Sequence, residues 1–217
     1  MSTTTRLVTA KELAAMGEDA PFELIRGELR RVSPTKGWHG RVSGRFAKEF
    51  GLHSVTILPG EVFTAEAGFF AEHDPDTVVA PDVFFIGKDR VPSQTELEAD
   101  YVRVPPDAVV DVLSPSNTSA EMEEKVLIYL RAGVRLVLVA NPAHKTISVR
   151  TPGGSERILS IGDDLEGGDA LPGFRVPVAR FFPESLFFGL GVVRDRFGVE
   201  GPETGVAVSA GDAGVGV

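Results

Sequence analysis

The feature that most constrains the fold is a set of dense apolar runs with one helix-like segment between two of them. The runs AVVDVL (108–113) and RLVLVA (135–140) have the composition of strands covered on both faces, and DVFFI (82–86) is a third. The segment SNTSAEMEEKVLIYLRAG lies between the first two, and Thr118 and Glu121 open it as a capping box. These lengths predict a right-handed βαβ crossover. We therefore predict an α/β fold, α+β by strict count, in which helices flank a mixed β-sheet.

The segments around this centre predict hairpins and further helices. A capping box at Thr9 and Glu12 opens a short helix, and FELIRGELRRVSP and TISVRTPGGSERILSI each have the pattern of a β-hairpin. The segment WHGRVSGRFAKEF has apolar residues four apart, as in an amphipathic helix. Two short strands are predicted after it, around Ser54–Leu58 and Glu61–Glu66, with a turn at Pro59-Gly60 between them.

Length and composition indicate one globular domain. The 217 residues are 42% hydrophobic, which is enough for a core, and no apolar run reaches the roughly 20 residues that span a bilayer. The absence of cysteine excludes thiolate metal sites and fits a reducing cytoplasm, where we expect the protein to act. We predict a domain over 5–188 and, because 189–217 is rich in Gly and small residues, a disordered tail.

The charge balance argues against simple attraction to nucleic acid. The chain has 22 Lys and Arg against 31 Asp and Glu, a net charge of -9. Such a chain repels a phosphate backbone unless it offers a local basic face or bridging cations. The helix predicted after Trp38 carries Arg41, Arg45 and Lys48, which form the best candidate for such a face, although an ordinary solvated face explains them equally well.

Two aspartates stand out as candidate metal ligands. Asp111 is the one charged residue of its apolar run, and an isolated buried carboxylate costs roughly several kcal/mol unless it is neutralised. Asp82 opens another apolar run, although an Asp after Pro is also a common turn residue. If the two runs pair, both carboxylates reach one end of the sheet, where oxygen ligands suit Mg²⁺ or Mn²⁺. A purely structural hydrogen-bonding role for Asp111 is the alternative.

Lys125 is the candidate cation of the same site. It falls inside the apolar stripe of its predicted helix, between Met122 and Tyr129. One account pairs it with Glu121 at the surface, an interaction worth ~0.3–0.5 kcal/mol. The other directs its ammonium to the end of the strand that carries Asp111. Two acids, a lysine and a divalent metal suit phosphodiester hydrolysis, in which the metal activates water and the lysine neutralises developing charge.

Several segments resemble a known nuclease superfamily. APDVFFIGKDR, PPDAVVDVLSPSN, EEKVLIYLRAGV and LVLVANP are similar to the PD-(D/E)xK nucleases, and most closely to their Uma-type branch of restriction-endonuclease-like proteins. FELIRGELRRVSP and the helix that follows it resemble the N-terminal segment of that branch. The resemblance covers about 20–188. It implies a restriction-endonuclease-like core, a mixed sheet flanked by helices, with extra N-terminal and C-terminal hairpins.

The resemblance also implies a metal site and a catalytic lysine. It assigns Asp82, Asp111 and the backbone carbonyl of Val112 to Mg²⁺ or Mn²⁺. Leu113 stands where the wider superfamily has its lysine, so the resemblance assigns that role to Lys125 on the next helix. The branch usually has Glu where this chain has Asp111, which is one methylene shorter.

Two further residues follow from the same resemblance. Glu23 or Glu28 matches an acid that supports the metal through water, and we take Glu28 as the catalytic candidate. His39 matches a histidine that contacts a phosphate or assists proton transfer, although a histidine at a helix start is also commonly structural.

The function implied is that of a divalent-metal-dependent endonuclease with DNA as its substrate. Members that cut both strands often work as dimers, so a homodimer is expected, and no membrane partner is. One alternative is a catalytically inactive member of the fold that acts as a binding or association module. Another is a metal-dependent hydrolase of a smaller phosphate ester, which the net acidity would tolerate better.

Overall fold

The computed structural model describes residues 6–17, 20–64, 67–115 and 117–182. The helices in these ranges are Ala10–Ala14 (α1), Gly37–Thr56 (α2), Gln94–Ala99 (α3) and Ser119–Arg131 (α4). The strands are Phe22–Ile25 (β1), Glu28–Arg31 (β2), Gly60–Thr64 (β3), Phe69–Glu72 (β4), Thr77–Val79 (β5), Val83–Gly87 (β6), Ala108–Val112 (β7), Leu136–Asn141 (β8), Thr146–Arg150 (β9), Arg157–Leu159 (β10), Asp164–Glu166 (β11) and Arg175–Pro177 (β12). Capping boxes open α1 at Thr9 and α4 at Thr118, as predicted.

The central sheet has six strands in the order β10-β9-β8-β7-β6-β3. Strands β7 and β8 are parallel and α4 connects them, which confirms the predicted strand–helix–strand unit, while the other neighbours are antiparallel. The fold is therefore the predicted mixed sheet with helices on its faces.

The two faces of this sheet bury different helices because successive side chains of a strand point to opposite sides. Val110 and Val112 of β7 pack in the cluster that contains Phe46 of α2. Val109, the residue before Val110, points to the opposite face and packs in the cluster that contains Tyr129 of α4. Asp111 therefore shares the side of β7 that faces α4.

A second sheet has four strands in the order β2-β1-β5-β4. Its first two strands are the predicted N-terminal hairpin, whose turn residues Arg26 and Gly27 have φ of 50° and 79°. Two consecutive positive φ values are typical of the tight turns that match strand twist. Leu24 pairs with Val78, which ties this hairpin to a segment more than fifty residues away. The predicted C-terminal hairpin is also present, as β9 and β10 at the edge of the central sheet.

One predicted strand is wrong. The segment around Ser54–Leu58 was expected to be extended, but α2 continues to Thr56 and only β3 of the two predicted strands forms. The buried side chains of Phe50 and His53 continue the apolar stripe of the helix by another turn. Val55 is 79% exposed, so its β-branched side chain lies at the surface of a helix and not in a sheet.

Met1–Pro183 forms one compact unit by the contacts between its Cα atoms. The predicted end of the domain at 188 and the predicted tail over 189–217 lie outside the described residues.

Over the residues that the structure describes, no helix combines the length and the apolar character needed to cross a lipid bilayer.

Candidate active site

Asp82 and Asp111 meet at one end of the central sheet. Strands β6 and β7 are antiparallel with Val83 opposite Val110, so Asp82, just before β6, comes beside Asp111 near the end of β7. One carboxylate oxygen of Asp82 (Oδ2) accepts a hydrogen bond from the backbone N–H of Val112 at 2.7 Å. Asp111 is 3% exposed. The pairing of the two runs, which was a condition of the sequence argument, is therefore observed.

Helix α4 brings Lys125 and Tyr129, one turn apart, to the buried carboxylate. Nζ of Lys125 lies 3.4 Å from Oδ2 of Asp111, and the hydroxyl of Tyr129 donates to the same oxygen at 2.9 Å. Glu121, the alternative partner of Lys125, instead accepts from the backbone and side chain of Thr118 in the capping box. The ammonium of Lys125 is therefore directed at Asp111, as in the second of the two interpretations, and does not pair with Glu121 at the surface.

Tyr129 was not among the predicted site residues, although the sequence contains a signal for it. Lys125 and Tyr129 are four residues apart and therefore occupy one face of the helix. A hydroxyl one turn beyond a lysine in an otherwise apolar stripe points to a shared polar partner on the facing strand. That partner is Asp111.

The N-terminal hairpin contributes a third carboxylate. Glu23 of β1 is 8% exposed, and its Oε1 accepts from Nζ of Lys125 at 3.0 Å and from the backbone N–H of Ala80 at 2.9 Å. Glu28, the predicted candidate, is exposed at the start of β2, opposite Ile25. The structure therefore brings Glu23 to the site and leaves Glu28 at the surface. We refer to Glu23, Asp82 and Asp111 as the carboxylate cluster.

His39 reaches the cluster from the other side of the sheet. It lies in the first turn of α2, and its Nε2 is 3.2 Å from Oδ2 of Asp82. Burial lowers the pKa of His39, but hydrogen bonds to Asp82 and to the backbone of Val112, together with the charge of Asp82, outweigh burial and raise it overall. His39 thus lies with the other predicted residues, and its catalytic role stays a prediction.

The cluster holds more negative than positive charge. Burial, together with the charges of Asp82 and Glu23, raises the pKa of Asp111, although Lys125 and Tyr129 oppose this. Burial lowers the pKa of Lys125, but the charges of Asp111 and Glu23 outweigh it, so the pKa is raised and the ammonium is retained. By formal charge, three carboxylates and one ammonium sum to -2, or to -1 if His39 is counted as a cation.

The donor chemistry of the cluster fits a hard divalent cation. Carboxylate oxygens and a backbone carbonyl are the ligands that Mg²⁺ and Mn²⁺ prefer, and the excess negative charge favours a cation. With the side chains as they lie, the described residues contain no group of three or more His, Cys, Asp or Glu arranged to hold a metal ion. The residue types therefore match the expected metal, and metal binding itself stays a prediction.

Comparison with known proteins gives one family and one fold. The model of the Uma2 family, described as "Putative restriction endonuclease", matches residues 9–179. A crystal structure from Anabaena variabilis ATCC 29413, titled as "a putative nuclease belonging to DUF820", superimposes with a TM-score of 0.71. It is 17% identical in sequence, and the match covers 81% of this chain and 97% of that one. No curated protein matches the chain. The likeness confirms the predicted restriction-endonuclease-like fold.

Proposed function

Because the chain belongs to the Uma2 family of restriction-endonuclease-like proteins, we propose that it is a divalent-metal-dependent endonuclease that hydrolyses phosphodiester bonds of DNA. The family match and the similar fold support a nuclease-like function. One observation carries the finer proposal: acids from two adjacent strands and a lysine from the crossover helix converge at one end of the sheet.

The excess charge of the cluster is the reason to propose a metal. A phosphodiester is itself an anion, so it is repelled by a site of formal charge -1 or -2; a divalent cation cancels that repulsion at -2 and turns it into attraction at -1. Asp82, Asp111 and the carbonyl of Val112 would hold Mg²⁺ or Mn²⁺. Such an ion, when bound, supplies an activated water and polarises the phosphate.

Lys125 acts as a fixed positive charge in this proposal. Its ammonium is retained, so it is unsuited to accept a proton and suited to stabilise negative charge that develops on the phosphate. Glu23 positions it, because Glu23 is itself held by the backbone N–H of Ala80. Glu23 thus takes the supporting role for which Glu28 was the candidate.

His39 orients Asp82 and offers a second cation. Its Nε2 lies 3.2 Å from the carboxylate oxygen that also accepts from Val112, so the imidazole and the backbone together fix the direction of Asp82. When protonated, the ring is placed to contact an oxygen of the phosphate.

A non-catalytic binding module is the second candidate, because the position of Lys125 also has a purely structural explanation. The ammonium lies 3.0 Å from Glu23 and 3.4 Å from Asp111, so it already compensates part of their charge. An ion pair of this kind stabilises the charged groups in the fold whether or not the protein cuts DNA.

The test is plasmid cleavage with Mg²⁺ or Mn²⁺ by the wild type and by Asp111→Asn and Lys125→Met, with Glu98→Gln of the exposed face of α3 as a matched control. We expect both site variants to lose at least about a hundredfold in rate, as when one group that stabilises transition-state charge is removed. Cleavage that survives both substitutions would place the active site elsewhere. Absence of cleavage with either metal, together with no shift in melting temperature on addition of Mn²⁺, would favour the binding module.

We further propose that the enzyme works as a homodimer in the cytoplasm. Two copies would cut the two strands of a duplex, one each. Sedimentation of the purified chain with and without DNA measures the stoichiometry, and a monomer under both conditions would contradict the dimer.

A further inference from the structure

A groove of about 820 Å³ runs along the sheet beside α4. Its floor includes a row of registered side chains across three strands, Val139 of β8, Ser148 of β9 and Ile158 of β10. Met122 and Val126 of α4 form one wall. Ile158 is 67% exposed, so this apolar side chain of the groove faces solvent. We refer to this concavity as the α4 groove.

The α4 groove opens at the carboxylate cluster. His39 lines the groove and also lies 3.2 Å from Asp82. Leu113 lines it too, directly after Val112, whose N–H binds Asp82. A phosphate held at the cluster would therefore place the adjoining nucleoside at the mouth of the groove.

Charge is distributed unevenly along the groove. Arg150 is paired with Glu123 at 2.6 Å and with Glu156 at 3.3 Å, so these three lining residues carry a net charge of -1 and disfavour a phosphate. At the cluster end, Lys36 lines the groove one turn before His39. The basic end thus suits a phosphate and the interior suits an uncharged, flat group.

The walls and size of the groove match an unpaired nucleobase. Its volume lies within the ~300–1,000 Å³ of pockets that enclose small ligands. Trp38 lines the cluster end, and an aromatic ring is a surface on which bases stack. Bases of an intact duplex stay stacked inside the helix and would have to be extruded to enter.

We propose that the α4 groove is a nucleoside subsite that holds an unpaired base next to the cleaved phosphate, so that the enzyme prefers single-stranded or locally unpaired DNA to intact duplex. This inference rests on the proposed nuclease function, because that function places the phosphate at the carboxylate cluster. The base enters the groove between α4 and the β9–β10 hairpin, over Val139 and Ser148, and the apolar side chain of Ile158 forms the outer edge of the floor.

The test separates the groove from the catalytic site by measuring binding and cleavage independently. Fluorescence anisotropy with a labelled thymidine oligomer and with a hairpin duplex, with Ca²⁺ in place of Mg²⁺ and a gel to check that the DNA stays intact, measures binding separately from cleavage. Cleavage of both substrates is then measured with Mg²⁺ or Mn²⁺. The variants are Ile158→Asp, which places a charge in the groove, and Ile158→Tyr, which adds a stacking surface. The matched control is Ile161→Asp, an exposed isoleucine of the same chain that does not line the groove.

We expect the wild type to bind and cut the single strand at least about tenfold better than the duplex, which is the order expected when a stacked base is gained. Ile158→Asp should lose that preference, while Ile158→Tyr and Ile161→Asp keep it. Equal use of both substrates, or a preference that Ile158→Asp leaves unchanged, would overturn the subsite even if cleavage is observed. Selective single-strand binding without cleavage would retain the subsite and refute the nuclease function. An effect of Ile158→Asp on oligomeric state alone would assign the groove to a contact between copies and overturn the proposal.

Discussion

Replacing Tyr129 with Phe isolates one hydrogen bond of the candidate site. The substitution removes the hydroxyl that donates to Oδ2 of Asp111 at 2.9 Å and keeps the ring, which is fully buried in the core beside α4. Asp111 is 3% exposed, so water does not readily replace the lost donor. The effect should therefore report the hydrogen bond and not a packing defect.

The expected loss of stability follows from the charge and burial of the acceptor. A hydrogen bond to a charged group contributes about 1.5–3 kcal/mol. Since Lys125 still lies 3.4 Å from the same oxygen, we expect Tyr129→Phe to lower the free energy of unfolding by about 2 kcal/mol. For a domain of this size that corresponds to a fall of ~4–8 °C in melting temperature. Urea unfolding near neutral pH measures the free energy directly.

The same hydrogen bond sets a pH dependence with a definite sign. It lowers the pKa of Asp111 against the larger effect of burial, which raises it. The stabilisation it gives is present at pH above the pKa of Asp111 and is lost as the pH falls through that value. The difference in free energy of unfolding between the wild type and Tyr129→Phe should therefore become smaller as the pH is lowered.

The chain's other tyrosine supplies the control. Tyr101 is partly buried, so Tyr101→Phe makes the same chemical change away from Asp111. A double-mutant cycle with Asp111→Asn separates the coupling of the two side chains from their individual effects. If Tyr129→Phe is as stable as Tyr101→Phe at neutral pH, or if the cycle gives no coupling energy, the hydrogen bond to Asp111 does not stabilise the fold.

Three further outcomes are expected. Glu23→Gln should reduce cleavage at least about tenfold and Glu28→Gln should not, since only Glu23 contacts Lys125; parallel plasmid assays decide this. Burial lowers the pKa of His53, so the free energy of unfolding should fall as the pH drops below about 6.5. Melting curves of His53→Phe should show a smaller fall than those of the wild type. His39, whose pKa is raised, contributes in the opposite direction, but equally in both proteins. Gly27→Ala should cost at least about 1 kcal/mol by urea unfolding, because φ is 79° and an added Cβ would lie 2.8 Å from a neighbouring side-chain carbon; equal stability would contradict the turn.

The centre of the fold was predictable because its signals are local. Each apolar run is bounded within a few residues by turn or capping residues, and the capping box at Thr118 fixes the start of α4 without reference to the rest of the chain. Local spacing placed Lys125 in an apolar stripe but left its pairing with Glu121 open as an alternative. Asp111 could be singled out from the sequence alone, because it is the charged residue of an apolar run.

The choice between Glu23 and Glu28 was not predictable, because it depends on a distant contact. Both acids lie in the same hairpin, and its alternation does not tell which strand faces the core. Pairing of Leu24 with Val78 buries β1, and the backbone N–H of Ala80 then binds Glu23. The extension of α2 likewise depends on tertiary contacts, because His53 is buried against Phe85 and Phe174, while the β-branched residues after it favour a strand locally.

Strand β7 offers an internal comparison between two buried acids, one with ample positive charge around it and one without. Asp107, just before the strand, and Asp111, within it, are each 3% exposed. Burial raises the pKa of Asp107, but hydrogen bonds and charges from Arg90, the N–H of Gly87 and Arg135 outweigh it, so its pKa is lowered. Asp111 has one lysine, shared with another acid, and its pKa is raised.

The charges of these two buried aspartates are thus compensated to different extents. At Asp107 the protein supplies two arginines and a backbone donor for one carboxylate, so nothing further is needed to stabilise the charge. At Asp111 it gathers three carboxylates beside one ammonium and one histidine, an arrangement that costs stability unless a further cation completes it. The two side chains are equally inaccessible to solvent, but Asp111 lies deeper in the protein, so its carboxylate has both the greater desolvation cost and the smaller compensating charge. An unbalanced buried cluster beside a groove is what a site for a cation and an anionic substrate requires.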